Sequence, residues 1–307
     1  MDDATAGDPI TGLKWTRKTL RKLSRELKRR GFTVSPTTVR RLLQAQDYTL
    51  RANRKRLSKQ TDPHRDQQMR YIARQRRAFL KQGAPVISVD TKKKELVGPF
   101  RNAGRTWRQQ PLAVLATDFP SDADGKAIPY GIYAPQRNAG YVVVGTSHET
   151  AEFAVAAIRS WWIRLGRRHY AGHHHLLIEA DGGGANSCRS WLWKTCLQAL
   201  ADEFQLTITV THLPPGASKW NPIEHRLFGV ITQNWAGQPL VSYETILKFI
   251  RTTTTETGLS CRAVLDRRDY PTGRKIPAQE KALVNLVPYR LFPQWNYTIK
   301  PHSEARE

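Results

Sequence analysis

Three acidic residues, far apart in the chain, stand where chemistry is expected. Asp90 ends the short apolar run VISVD (86–90), and Asp181 ends LLIEAD (176–181). Glu224 lies in NPIEHRLFGVITQNW, which reads as a helix after a Pro-rich loop. Short β-branched apolar runs read as buried strands, so both aspartates are expected at strand C-terminal ends. On neighbouring central strands their carboxylates would converge. Two carboxylates that close repel, and a hard cation is the usual remedy. Three carboxylates with no soft ligand favour Mg²⁺ or Mn²⁺ over zinc. Two such ions, about 3.5–4 Å apart, could support in-line attack on a phosphodiester. One would activate water or a 3′-hydroxyl, and the other would stabilise the leaving oxygen.

Each acid alone also admits a plain reading, because an Asp after a strand is often a turn former or helix cap. Asp118 and Glu179 are nearby alternatives. Asp181 is preferred to Glu179 because it adjoins the run GGGAN (182–186), where Gly182 and Gly183 allow close approach to the backbone. The segment HLPPGASKWNPIEH (212–225) is the most informative. Pro214 and Pro215 stiffen it, Ser218 and Asn221 can cap, and Pro222 suits the start of a helix. Glu224 would then project from the first helical turn, with Asn221 and His225 as supporting neighbours. Lys92, Lys93 and Lys94 follow the first Asp, and Lys219 and Arg226 flank the Glu. These five either grip phosphates or form solvated charged turns. Trp161, Trp162, Trp191 and Trp193 fall at helical spacing and read as core in preference to base-stacking.

The elements that must position these residues follow in order. VISVD, IPYGIYA (128–134) and GYVVVGT (140–146) read as three strands, the last two paired around PQRNAG. A helix is expected over about 150–165, then strand LLIEAD, helix SWLWKTCLQALADEF (190–204), strand LTITVTHL (206–213) and the helix carrying Glu224. Three strands able to pair antiparallel, followed by alternating strand–helix units, give a mixed sheet with helices on its faces. That α/β pattern is the ribonuclease-H-like arrangement, expected over 85–240. Residues 241–307 are expected to form a helical and irregular extension, with one helix near 243–254.

The 307-residue chain is 39% apolar, enough for a sizeable core. Its net charge of +23 favours a polyanion, and nucleic acid is the commonest one. Residues 1–85 hold 22 Lys and Arg against 7 Asp and Glu, so the electrostatic footprint is concentrated there. Thr16 is expected to cap a first helix with Leu20, Leu23 and Leu27 on one face, ended by Gly31. Ser35 caps a second, with Pro36 at its first position. Val39, Leu42 and Leu43 would face inward, and Thr37, Thr38, Arg40, Arg41 and Gln44 outward. This all-α region (1–50) reads as helix-turn-helix-like with the second helix as the DNA reader. The alternative is a basic hairpin that only packs on its neighbour. Such a domain usually has three helices and little sequence precedes Thr16, so the region is expected to be incomplete. Residues 51–84 are expected to hold a basic linker and a basic helix capped by Asp62. Cys188, Cys196 and Cys261 lack CxxC spacing and read as reduced thiols. No apolar run reaches the roughly 18 residues of a membrane span. MDDATAGDPI lacks the regions of a signal peptide, so a cytoplasmic location is expected.

The segments SVDTKKKELVG (88–98), ADGGGANS (180–187) and HLPPGASKWNPIEHRLF (212–228) resemble the Rhodopirellula-type DDE transposases of bacterial insertion sequences. SHETAEFA (147–154) and WNYTIKP (295–301) are also similar to that family, and the NPIE segment resembles mariner-like transposases. The resemblance covers about Leu13 to Pro301. It implies Asp90, Asp181 and Glu224 as the catalytic and metal-holding triad, with cleavage at element ends and strand transfer into target DNA. It further implies a homodimer or larger assembly on paired ends. Two alternatives stay open: a ribonuclease-H-like nuclease that hydrolyses without joining, and a truncated or inactive transposase that only binds DNA.

Overall fold

The computed structural model describes residues 5–7, 14–16, 18–50 and 62–302, the first two stretches as backbone. The chain divides into two compact units, Met1–Leu57 and Ser58–Glu307.

In the first unit, strands β1 (Thr5–Gly7) and β2 (Lys14–Thr16) pair antiparallel, where no strand was expected. Thr16 therefore ends a strand. The cap of helix α1 (Leu20–Arg29) is Thr19, whose hydroxyl accepts the Lys22 N–H. Helix α2 (Pro36–Ala45) begins as expected, with Ser35 accepting from the Thr38 N–H and Pro36 at its first turn. Leu23 and Val39 are the buried anchors of this pair. Leu42 is half exposed, not inward, which leaves the inner face of α2 narrower than its apolar pattern implied. The expected linker over 51–61 lies outside the described residues.

The second unit opens with helix α3 (Arg65–Lys81). Asp62 accepts the His64 N–H just before it, but no side chain caps the helix itself. Strands β3 (Val86–Thr91), β4 (Glu95–Val97), β5 (Gly125–Ala134) and β6 (Ala139–Gly145) follow. Helix α4 (Ala151–Trp161), capped by Thr150, runs through a π-helical turn (Trp162–Gly166) into α5 (Arg167–His169). Then come β7 (His175–Ala180), α6 (Trp191–Phe204), β8 (Thr207–His212), a π-helical turn (Glu224–Phe228), α7 (Gly229–Asn234) and α8 (Tyr243–Arg251). Strand β9 (Ser260–Asp266), helix α9 (Ala278–Ala282) and strands β10 (Leu286–Pro288) and β11 (Asn296–Ile299) complete it.

The sheet order is β10-β11-β8-β7-β3-β5-β6-β9, with β4 beside β5. β3, β7 and β8 run parallel, while β5 pairs antiparallel with both β3 and β6. This is the mixed, helix-flanked α/β sheet of a ribonuclease-H-like fold. Side chains alternate across it, as a period of two requires. Tyr130, Ile132, Tyr141 and Val143 pack with α4 and α6 on one face. Tyr133, Val142 and Val144 pack with Leu227, Phe228 and α8 on the other. The sequence pattern missed the outer strands β9, β10 and β11. Four-residue β11 is a strand because neighbours distant in sequence offer it partners, β8 with Asn296 opposite Thr211 through Ile299 opposite Ile208, and β10 on its other side. No described helix is long and apolar enough to cross a membrane.

Candidate functional site

Parallel pairing of β3 with β7 sets the site. Val89 lies opposite Ala180, so the next residues, Asp90 near the end of β3 and Asp181 just past β7, stand at the same end of the two strands. Each aspartate is fixed by a local turn. Asp90 Oδ1 accepts the Thr91 N–H at 2.8 Å, and Asp181 Oδ1 accepts the Gly182 N–H at 2.5 Å. Behind Asp181, buried His212 lies 3.1 Å from its carbonyl and 3.1 Å from the Tyr297 hydroxyl. Burial holds the His212 imidazole down to about 4, so it is neutral at physiological pH.

Glu224 arrives from the loop that follows β8. Asn221 is fully buried and joins its loop to β3: its Oδ1 accepts from Ser88, and its Nδ2 donates to the Val89 carbonyl at 3.3 Å. The Ser88 hydroxyl also accepts the Ile223 N–H at 3.3 Å. His225 bonds back to the Lys219 carbonyl. The expected regular helix instead opens as a π-helical turn beginning at Glu224. Such turns are rare and frequent at functional sites.

The carboxylates share one electrostatic neighbourhood. Burial, then the charge of Asp181, then Glu224 and Glu149 push Asp90 up to about 7, against the Thr91 hydrogen bond. Burial raises Glu224 above the usual carboxylate range, with His225 and Lys92 pulling it down and Asp181 pushing it up. Glu149 is the member that sequence reasoning missed. It lies in SHETAEFA, immediately before the cap of α4, and pairs with Lys94 at 3.0 Å. A Cβ on Gly184 would stand 3.1 Å from its Oε1. Of the three glycines after Asp181, only Gly184 is left-handed, at φ +58°.

Other candidate residues are placed differently. Lys92 is buried, 2.7 Å from Glu95 and 4.4 Å from the centre of the Trp235 ring. Lys93, Lys219 and Arg226 are exposed. Arg40, Arg41, Thr37 and Gln44 are exposed on α2, whereas Thr38 is half-buried and bonds Ser35. Glu179 is buried and held by Arg76 of α3 at 2.7 and 2.5 Å, which removes it as a rival to Asp181. Asp118 lies in an exposed loop. Trp161, Trp162 and Trp193 are core, and Trp191 is partly exposed.

The expected Mg²⁺ or Mn²⁺ site, with its two ions, is corrected. Among the described residues, no group of three or more His, Cys, Asp or Glu is placed to hold a metal ion. Both aspartates turn an oxygen onto the following backbone N–H, and Glu224 is faced by Lys92 and His225. Electrostatic proximity is therefore not coordination geometry.

The family model described as Rhodopirellula transposase DDE domain matches residues 1–301. No curated protein matches the chain significantly. A solved Mos1 transposase paired-end complex with left transposon end is 17% identical over 76% of this chain, with a TM-score of 0.45. The Mos1 strand transfer complex is 16% identical over 76%, also at 0.45. The chain spans 65% and 64% of those two chains. Likeness at that level carries no functional weight.

Proposed function

The chain belongs to the Rhodopirellula transposase DDE-domain family, and on that premise we propose that it cuts and joins DNA at the ends of its own insertion sequence. Asp90, Asp181 and Glu224 are the proposed catalytic residues. What supports the reading is electrostatic proximity: the charges of Asp181, from the adjacent strand, and of Glu224, from the π-helical turn, both act on Asp90. An Asp90 carboxyl near 7 is suited to take the proton of an attacking hydroxyl at neutral pH. Exposed Arg40, Arg41, Thr37 and Gln44, with half-buried Thr38, are proposed to read DNA from α2. Lys93, Lys219 and Arg226 are proposed to hold the strand near the acids. Paired ends call for a homodimer or larger assembly.

The test uses purified full chain and labelled duplexes carrying the terminal sequences that flank its own gene, with and without divalent cations. Nicked and end-joined products are expected from the unmutated chain and none from Asp181→Asn. Cleavage without joining would indicate a hydrolytic nuclease. Binding without cleavage would indicate a DNA-binding protein only. One observation favours that last reading: no three-ligand metal cluster among the described residues.

A further inference from the structure

A second charged region lies along the β9 edge of the sheet, three strands from β3. At roughly 4.8 Å per strand, it stands about 14 Å from the line of Asp90. Two neighbouring cavities occupy it. One, of about 500 Å³, is lined by Tyr141, Arg164, Arg251, Arg262 and Ala263 among others. The second, of about 240 Å³, shares Arg262 and adds Arg137, His169 and Ser260.

The positions of these arginines follow from the fold. Tyr141 and Arg262 are register partners on β6 and β9, so their side chains stand on one face. The Tyr141 hydroxyl bonds Ser160 of α4 at 2.7 Å, which identifies that face as the α4 side. Arg164 comes from the π-helical turn continuing α4. Arg251 ends α8 on the opposite face. Its Nε and Nη2 both donate to the Ala263 carbonyl, at 3.0 and 2.8 Å, which fixes the guanidinium. No acidic residue lines either cavity. Among the described residues, none of Arg137, Arg164, Arg251 and Arg262 forms an ion pair. The local field is strong enough to act on His169, lowered by burial and then by Arg137, Arg168 and Arg262.

We infer that this groove holds a stretch of DNA backbone, gripping successive phosphates through Arg137, Arg164, Arg251 and Arg262 without reading bases. The inference rests on the DNA-acting reading above. Dimensions favour a polymer over a single anion. From the level of Ala139 and Ser260 to that of Val143 and Val264 is about 13 Å of strand. One DNA strand presents a phosphate about every 3.4 Å of axis and winds around that axis, so the groove is long enough to meet more than one successive phosphate. Guanidinium groups match phosphate oxygens in fork geometry, and contacts of this kind position a duplex without carrying sequence information.

The experiment measures binding of the full chain to a labelled duplex of unrelated sequence across a salt series. The variant combines Arg137→Ala, Arg164→Ala and Arg262→Ala, and its fold is checked by circular dichroism. Removing three phosphate contacts should flatten the slope of log affinity against log salt by about 2.7. Affinity should fall for every sequence alike. The matching Arg→Lys variant should recover the slope, because charge is retained. An unchanged slope in the folded alanine variant, with the unmutated chain still binding DNA, would overturn the groove and leave the DNA reading standing. Displacement of a poly-glutamate peptide in place of DNA would also overturn it. No duplex binding by the unmutated chain would remove both. Groove-dependent binding with no cleavage would keep the groove and remove only the catalytic reading.

Discussion

The acid-bearing end of the central strands and the arginine-lined edge of the same sheet treat like charges in opposite ways. At the first, half-buried carboxylates act on one another, and burial with the neighbouring charges suppresses ionisation of one: Asp90 is pushed up to about 7. At the second, guanidinium groups stay charged at any relevant pH and remain exposed to solvent. Burial converts repulsion into a shifted proton equilibrium, whereas exposure leaves it as an external field. Glu179 shows a third outcome. It is as buried as any acid here, but Arg76 holds it in a two-pronged pair.

The largest expected effect comes from breaking that pair. Glu179→Ala leaves Arg76 without its partner; removing one member of a fully buried pair costs about 3–5 kcal/mol, and because the Arg76 side chain is 32% exposed the loss stands at the low end of that range. Urea denaturation should report the loss directly, and a change under 1 kcal/mol would mean the pair is effectively solvated.

Asp90→Asn should act in the opposite direction. A carboxyl at about 7 in the folded chain and at 3.8 in the unfolded one is protonated in both states at low pH and contributes nothing there. Between those values the unfolded state releases its proton first, so stability falls as pH rises. Above about 7 the cost is complete, at most about 4 kcal/mol. The substitution should therefore stabilise the chain increasingly from pH 4 to pH 7 while abolishing strand cleavage. Melting curves of both proteins across that range decide the matter, and parallel curves would refute the raised Asp90.

Gly184→Ala should cost about 1 kcal/mol, the usual penalty for forcing a left-handed position onto a residue with a Cβ. The new methyl also crowds Glu149, so chemical denaturation should show a larger loss for Gly184→Ala than for Gly183→Ala. At Gly183 the φ is negative and a Cβ meets nothing within 4 Å. The smallest effect belongs to the arginine groove. Arg164→Glu should leave the melting temperature nearly unchanged, within about 0.5 kcal/mol as for most surface changes. A large destabilisation would mean that Arg164 has a structural role, and the contrast between the two regions would fail.

Sequence alone determined the central sheet and the likeness to the family. Five apolar runs at strand length fixed β3, β5, β6, β7 and β8 within a residue or two at most termini, because burial on both faces leaves a dense β-branched signature. It also placed Asp90 and Asp181 near strand ends, Glu224 after a rigid loop and Ser35 at a helix cap, since each is a local consequence of chain order. What required the tertiary structure was every property set by partners distant in sequence. β11 pairs with β8, Lys92 is buried by Trp235, and Glu149 joins the acids through the packing of α4. The same holds for the absence of a three-ligand metal cluster among the described residues. Residue types tell which groups could coordinate, but the distances that folding sets between them decide whether they do.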